Sequence, residues 1–250
     1  MNKILRALGN IVVAGTNADD NHKLSMVAGS RIIFDATAAG AGVRYGLQVG
    51  TAPFTRPMLY ARGTAASPAT ITSDLAGGAL PARLIDSDSI GQGCVDAEYL
   101  DFVDFGSATD RSWIAWPGMA GHELRLVNCN FTRCGLLDYG QALLGDSTFV
   151  LDRVKFKDTV ADMCFSVSAA SALTAGGVRT ITHSAFDKVV KLFGPADFTI
   201  RYTVMEARWV HLNYRWAEVA HNFFRDPLQE SFGICGDISD CYFLEDSNDG

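Results

Sequence analysis

The sequence predicts an all-β solenoid, a stack of coils built from short parallel strands. The first observation is a motif of an aliphatic residue, a small or medium residue three positions later, and a large apolar residue two positions after that. Its last residues are spaced by 26, 25, 30, 19, 19 and 19 residues, and a repeated period of this kind is typical of a solenoid. The seven motifs are Leu100/Val103/Phe105, Leu126/Cys129/Phe131, Leu151/Val154/Phe156, Ile181/Ser184/Phe186, Ile200/Thr203/Met205, Val219/Asn222/Phe224 and Ile238/Cys241/Phe243.

The second observation is alternation within each motif, as in Leu124-x-Leu126 and Cys241-x-Phe243. Alternation places every second side chain on one face of a strand, and the gap inside the motif breaks it, so we expect a bend between two strands. The third observation is the length of the period. A coil of about 19 residues is too short to contain a helical crossover, so we expect it to consist of strands and bends. One coil cannot bury its own apolar face, so stacked neighbours must form the core.

The N-terminal part is less regular. We expect residues 1–23 to form an irregular start or a cap, and residues 24–250 to form the solenoid, whose C-terminal end is either truncated or covered by another chain. Lys3 and Arg6 precede a short apolar run that is compatible with a signal peptide, although Gly9 and Asn10 interrupt it and favour a capping helix or strand. Predicted early strands are Arg31–Phe34, Gly46–Gly50, Met58–Ala61 and Ala69–Thr72.

The earlier coils are longer than the 19-residue period of the last three intervals. If 19 residues suffice for one coil, the excess should project as loop insertions within Gly106–His122, Thr132–Ser147 and Lys157–Gly177. Insertions in repeat proteins tend to lie on one side of the rod and to line the binding face.

The stretches "ELRLVNCNFTRCG", "STFVLDRVKFKDTV", "VRTITHSAFDKVV" and "GDISDCYFLED" resemble the coils of right-handed parallel β-helix proteins of the pectate-lyase-like and tailspike-like kind. The likeness covers roughly residues 24–246. It implies a right-handed parallel β-helix, and it favours an extracellular, cell-surface or virion-surface location. These proteins include lyases, hydrolases, epimerases, phage spikes and non-catalytic adhesins, so the likeness alone does not select an activity.

The composition argues against some classes of binding partner. The formal net charge of −7 argues against nucleic acid, and no run approaches the roughly 20 apolar residues of a membrane-spanning helix. The six cysteines include no zinc-type spacing, and most read as small buried residues. Cys129 and Cys241 hold the same motif position five coils apart, about 24 Å on a strand spacing of about 4.8 Å, so we expect both to be free.

Four residues are predicted to bind a glycan, which is the expected partner. A solvated tryptophan is apolar on its face and polar at its edge, so it suits a sugar ring, although each could instead cover the coil beneath it. Tyr139 lies in the second insertion, and Asp138 and Asp162 could supply carboxylates. The four predicted binding residues are Trp113, Trp116, Tyr139 and Arg215.

Catalytic residues cannot be read directly, and whether the protein is an enzyme stays open. Weak candidates come from the segment richest in aromatic and ionisable groups, where arginine and histidine could recognise an acidic sugar. They are Glu206, Arg208, His211 and Glu218. No cofactor is expected, although stacked carboxylates on adjacent coils could bind calcium. A further expected stack lies in the bend and consists of His183, Tyr202, His221 and Asp240.

Two hypotheses remain open. One is a carbohydrate-binding or carbohydrate-active β-helix, either a polysaccharide lyase or hydrolase or a spike-like protein. The other is a non-catalytic structural or adhesive solenoid that forms the N-terminal part of a longer surface protein. Because no capping segment is legible after the last motif, a further domain or chain could cover the open end.

Overall fold

The computed structural model shows short strands arranged in three parallel sheets. The described residues are 3–13, 22–35, 44–50, 58–74, 81–87, 94–109, 111–115, 123–139, 148–168, 178–193, 199–206, 210–215, 218–225, 234–235 and 238–244. They contain strands and no helix, as the alternation predicts, and therefore no helix long and apolar enough to span a membrane.

Sheet A has ten strands. They are β1 (Ile4–Ala7), β4 (Arg31–Asp35), β7 (Ala69–Asp74), β10 (Leu100–Val103), β13 (Asn130–Thr132), β16 (Lys155–Lys157), β19 (Ala185–Phe186), β22 (Val204–Glu206), β25 (Phe223–Arg225) and β28 (Tyr242–Leu244). Strands β1 and β4 pair through Ile4 and Arg31, so the stack already includes part of the segment 1–23.

Sheet B has nine strands. They are β2 (Ile11–Val13), β5 (Gly46–Val49), β8 (Arg83–Ser87), β11 (Trp113–Ala115), β14 (Leu137–Tyr139), β17 (Met163–Ser168), β20 (Val189–Phe193), β23 (Val210–Arg215) and β26 (Ile234–Cys235).

Sheet C also has nine strands. They are β3 (Lys23–Val27), β6 (Met58–Arg62), β9 (Cys94–Glu98), β12 (Glu123–Val127), β15 (Thr148–Asp152), β18 (Arg179–Thr182), β21 (Thr199–Arg201), β24 (Glu218–Ala220) and β27 (Ile238–Ser239). In all three sheets each strand pairs in parallel with the strand three places along the chain, so three strands make one coil. This topology is compatible with the predicted β-helix.

The core consists of the inward columns that the motif predicts. In sheet C, Leu126, Leu151, Ile181 and Ile200 pair in register and are fully buried, and the same register continues to Val219 and Ile238. In sheet A the rings of neighbouring coils stack directly. The centroids of Phe131 and Phe156 are 4.7 Å apart, and those of Phe156 and Phe186 are 5.2 Å apart. The register then runs on through Met205, Phe224 and Phe243.

The first motif was aligned wrongly. Phe102, and not Phe105, pairs with Phe131, and Ala97 pairs with Leu126. The true unit is therefore Ala97/Leu100/Phe102. Phe105 is also buried, at 1% exposure, because it packs edge-on against Phe102 from the following corner, which is why it imitates the motif.

The predicted insertions were also too long, since each contains a strand of sheet B. The strands β11, β14 and β17 lie within the ranges that were predicted as loops because they exceed the 19-residue period. They were missed because the sheet B strands share no repeated motif with the other two faces. Linkers of variable length do separate sheet B from sheet C, and residues 116–122, 140–147 and 169–177 of these linkers lie outside the described residues.

Among the cysteines whose side chains are described, none is in a disulfide, as predicted for Cys129 and Cys241. Cys129 and Cys134 are buried, and burial raises the pKa of each thiol to about 12. Burial raises the pKa of Cys164 in the same way. These three therefore act as small apolar residues of the core, without nucleophilic character.

Candidate binding groove on sheet A

The bend between sheet C and sheet A repeats one backbone conformation. Its first residue has a positive φ between 51° and 55° in the seven described coils from Tyr99 onward. Its amide continues the parallel ladder, as when His183 N donates to Arg201 O one coil on. A left-handed conformation costs a residue other than glycine on the order of 1 kcal/mol, so the ladder must offset it. The residues are Tyr99, Asn128, Arg153, His183, Tyr202, His221 and Asp240.

The second residue of the bend points inward and hydrogen-bonds the backbone. Ser184, Thr203 and Asn222 are each no more than 2% exposed. Asn222 Nδ2 donates to Ile200 O at 2.9 Å, and Asn222 Oδ1 accepts from Thr203 N at 3.0 Å. A buried amide that satisfies both a donor and an acceptor holds two coils in register. The outward residues of the bend are thereby fixed in one column.

The outward column includes the stack predicted from the sequence. The rings of His183 and Tyr202 are parallel within 10° with centroids 5.2 Å apart, and those of Tyr202 and His221 are parallel within 5° at 5.0 Å. Asp152 Oδ1 lies 3.0 Å from His183 Nδ1, and Asp240 Oδ2 lies 3.6 Å from His221 Nδ1. These half-exposed rings form a ridge along one edge of sheet A. We call it the ring ridge.

Beside the ring ridge, the outer face of sheet A is concave. Three adjoining depressions of about 510, 360 and 300 Å³ share lining residues across adjacent coils. The first two depressions share Asn130 and Lys155, and the last two share Phe156, Lys157 and Ala185. Ala185 pairs with Lys155 on one side and with Val204 on the other, so the smallest side chain of this outward column leaves the gap. We call these depressions together the sheet A groove.

The charges of the groove are uneven. Asp101 accepts a hydrogen bond from Asn130 Nδ2 at 2.6 Å, and Asp187 accepts from Thr159 N and Oγ1 at 2.9 and 2.6 Å. The ammonium group of Lys155, in contrast, has no hydrogen-bond or ion-pair partner within the part of the chain that the structure describes. The acidic groups are thus engaged by donors, while a cation remains available at the centre of the floor.

At the far edge of sheet A, a second left-handed column alternates in charge. Asp104, Arg133 and Asp158 have φ values of 58°, 51° and 54°. Arg133 Nε and Nη2 donate to the two oxygens of Asp104 at 2.7 and 2.9 Å, and this pairing raises the pKa of Arg133. Lys157 Nζ lies 4.0 Å from Asp158 Oδ2. The edge opposite the ring ridge is therefore closed by ion pairs.

Carboxylates elsewhere on the surface are paired with arginine across coils. Arg125 donates to Asp96 at 2.9 Å and to Glu98 at 2.7 Å, and Arg62 donates to Asp96 as well. Burial lowers the pKa of Arg125, but the hydrogen bonds to Glu98 and Asp96 outweigh it, so the net shift is upward. Asp138, a predicted site carboxylate, is 3.0 Å from Arg111 Nε. Asp162, the other, is exposed.

Most predicted site residues lie away from this groove or outside the described residues. Trp113 and Tyr139 are on adjacent strands of sheet B, and His211 and Arg215 belong to β23 of the same sheet; for these four only the backbone is described. Trp116 and Arg208 lie outside the described residues. The prediction that tryptophans stack on a sugar is therefore not tested.

The other two predicted catalytic residues lie on strands of sheet A and sheet C. Glu206 ends β22 and pairs with Arg225, and Glu218 begins β24 of sheet C. Only their backbone is described. Among the described residues, no three histidine, cysteine, aspartate or glutamate side chains are grouped so as to hold a metal ion.

Sequence reasoning missed the groove residues Arg153, Lys155 and Lys157. A signal was present, because Lys155 and Lys157 flank the motif residue Phe156 and so must point outward. What the sequence did not reveal was the depression, which needs Ala185 of the next coil beside Lys155. Comparison with protein-family models, curated proteins and solved structures gives no match for this chain.

Proposed function

We propose that the chain is a right-handed parallel β-helix of the pectate-lyase-like and tailspike-like kind, and that it binds an anionic polysaccharide along the sheet A groove. The single observation that carries this proposal is the unpaired Lys155 on the floor of an elongated depression beside the ring ridge. An extended chain suits a groove that crosses several coils, and carboxylate or sulfate groups suit the cation.

The ring ridge is suited to form a side wall of the groove, and it is less suited to be a surface on which a sugar ring stacks. The faces of Tyr202 are covered by His183 and His221, so its edge and hydroxyl are what a ligand can reach. Edges and hydroxyls hydrogen-bond the rim of a sugar, while stacking on a ring face needs an uncovered face. We therefore assign the ring ridge to alignment of the polysaccharide and the lysines to its charge.

A binding function without catalysis is the second candidate, and the arginine pairs favour it. Hydrolysis of a glycoside uses two carboxylates of different pKa, about 5–9.5 Å apart. Asp96 and Glu98 of sheet C are held by Arg62 and Arg125, an arrangement that fixes the surface structure and engages both carboxylates. A structural or adhesive solenoid that docks on a polysaccharide accommodates these pairs and the groove alike.

The proposal is tested by measuring affinity for anionic and neutral polysaccharides with two groove variants. Lys155→Gln should weaken binding of an anionic polysaccharide about tenfold, because one charge-assisted contact is lost. Ala185→Phe should abolish it by filling the depression. Lys3→Gln, an exposed lysine at the start of the chain, is the matched control and should bind as the parent does.

Equal affinity of Ala185→Phe and the parent would overturn the assignment of the groove. The same panel, assayed for new reducing ends and for the absorbance of unsaturated uronates, separates the two candidates. Product formation would identify an enzyme, whereas binding without product would identify the adhesive solenoid.

A further inference from the structure

A separate cavity lies on the outer face of sheet B, in the first three coils. It has a volume of about 130 Å³ and is lined by polar residues from β2, β5, β8 and the residues that precede them. One water molecule needs at least roughly 10–15 Å³ of such volume, so the cavity has room for several waters, or for a small ion with part of its hydration. The residues that the argument uses are Asn10, Arg44, Tyr45, Gly46, Gln48 and Arg83.

The cavity exists because glycine occupies an outward position. Gly46 pairs with Arg83 in the parallel ladder, and a Cβ at Gly46 would come within 2.6 Å of Arg83 O and 3.7 Å of Arg83 Cγ. Any larger residue would fill the space over which the Arg83 side chain lies. Asn10 fixes the same strand from the coil before, since its Oδ1 accepts from Gly46 N at 2.9 Å. That contact orients the Asn10 amide and leaves its NH₂ group as a donor.

The lining is rich in donors and cations. Arg44 and Arg83 both line the cavity, and the Arg83 guanidinium has no hydrogen-bond or ion-pair partner among the residues that the structure describes. Among the described residues that line the cavity there is no aspartate or glutamate. Gln48 adds an amide whose Nε2 reaches Gly50 O only at 3.5 Å, so it can turn towards a ligand.

We propose that this cavity is a binding site for an oxyanion group, a carboxylate, sulfate or phosphate. A guanidinium offers several N–H donors in a planar fork that matches such groups, and amide donors complete their coordination. The unpaired Arg83 guanidinium is therefore the group that would bind the anion. Because the whole chain carries a net charge of −7, diffuse attraction of anions is disfavoured and binding must come from the local site.

This site is independent of the sheet A groove, because it lies on another face and uses other residues. The test uses the full chain with inorganic sulfate, inorganic phosphate and acetate in separate calorimetric titrations at constant ionic strength. Preference for acetate would indicate a carboxylate ligand, and preference for sulfate or phosphate a tetrahedral one. Each result supports the site, whereas absence of binding by all three ions would overturn it.

Variants assign the binding to the cavity. Arg83→Gln keeps the stem and removes the charge, so affinity for the preferred ion should fall about tenfold or more. Arg31→Gln is the matched control, an exposed arginine that begins β4 as Arg83 begins β8, and it should bind as the parent does. Equal affinity of Arg83→Gln and the parent would overturn the proposal.

A second variant covers the case in which Arg83→Gln fails to fold. Gln48→Glu places a carboxylate within the same cavity. This carboxylate should form an ion pair with the Arg83 guanidinium and so take the place of the bound ion. Binding should be lost while the midpoint of thermal unfolding is retained or raised. Unchanged ion affinity in a folded Gln48→Glu protein would contradict the site.

Discussion

At the scale of single residues, the fold depends on a column of phenylalanine rings that are almost fully buried. Phe102, Phe131, Phe156 and Phe186 stack coil upon coil, and Phe165 of sheet B packs against the last two with centroids 6.2 and 5.8 Å away. Such rings contribute both buried area and ring–ring contact. The distances between the ring centroids of neighbouring coils are close to the spacing of parallel strands, so each ring packs directly against the rings above and below it.

Phe186→Ala should lower the free energy of unfolding by about 3–5 kcal/mol, because a buried ring is removed and a cavity remains. Phe186 is 1% exposed and contacts rings on both sheets. The measurement is chemical denaturation followed by circular dichroism. Phe223→Ala is the control, since Phe223 is a half-buried outward residue of β25, and its loss should cost much less. Equal losses for the two variants would contradict the inward and outward assignment.

At the scale of the element, the bend from sheet C to sheet A is the most regular structure of the chain. One residue adopts the left-handed conformation and points out, and the next points in and ties two coils together. The outward position builds the ring ridge, so the feature proposed to contact a ligand follows directly from a backbone requirement. Histidine, asparagine and aspartate tolerate this conformation better than most residues, and four of the seven positions hold one of them.

Asn222→Ala should destabilise the protein by about 2–3 kcal/mol, because Thr203 N and Ile200 O lose their partner in a buried place. Hydrogen exchange should locate the effect, with faster exchange of the Thr203 amide than in the parent. Ser239→Ala, on an exposed position of β27, serves as the control. An unchanged exchange rate at Thr203 would contradict the role assigned to Asn222.

At the scale of the whole molecule, three parallel sheets share one core, and each coil contacts its neighbours. Stability in such a stack is close to a sum over coils and interfaces, so removal of one complete coil should be tolerated. The last coils are 19 residues long, as the register of Phe186, Met205, Phe224 and Phe243 gives directly. The period is thus a structural unit as well as a sequence pattern.

Deletion of residues 206–224 removes 19 residues, and Met205 then takes the place of Phe224 in the register. We expect a folded protein with a cooperative thermal transition and resistance to proteolysis. Deletion of residues 206–223 removes one residue fewer. It should fail, because a shift by one residue turns every inward side chain of the remaining strands to the outer face. Similar behaviour of the two deletions would contradict the stacking register.

The sequence by itself determined the inward columns of sheets A and C, the bend that joins them, and the free state of Cys129 and Cys241. These features repeat at a fixed period, so local alternation is enough to read them. It misplaced the first motif, because Phe105 packs on the same core from a corner, and it overlooked the sheet B strands β11, β14 and β17, which share no motif. Only the tertiary structure decided where Lys155 meets Ala185 and where Gly46 makes room for Arg83. Those pairs come from different coils with linkers of unequal length, so their meeting depends on the register of the strands and on no spacing that the sequence displays.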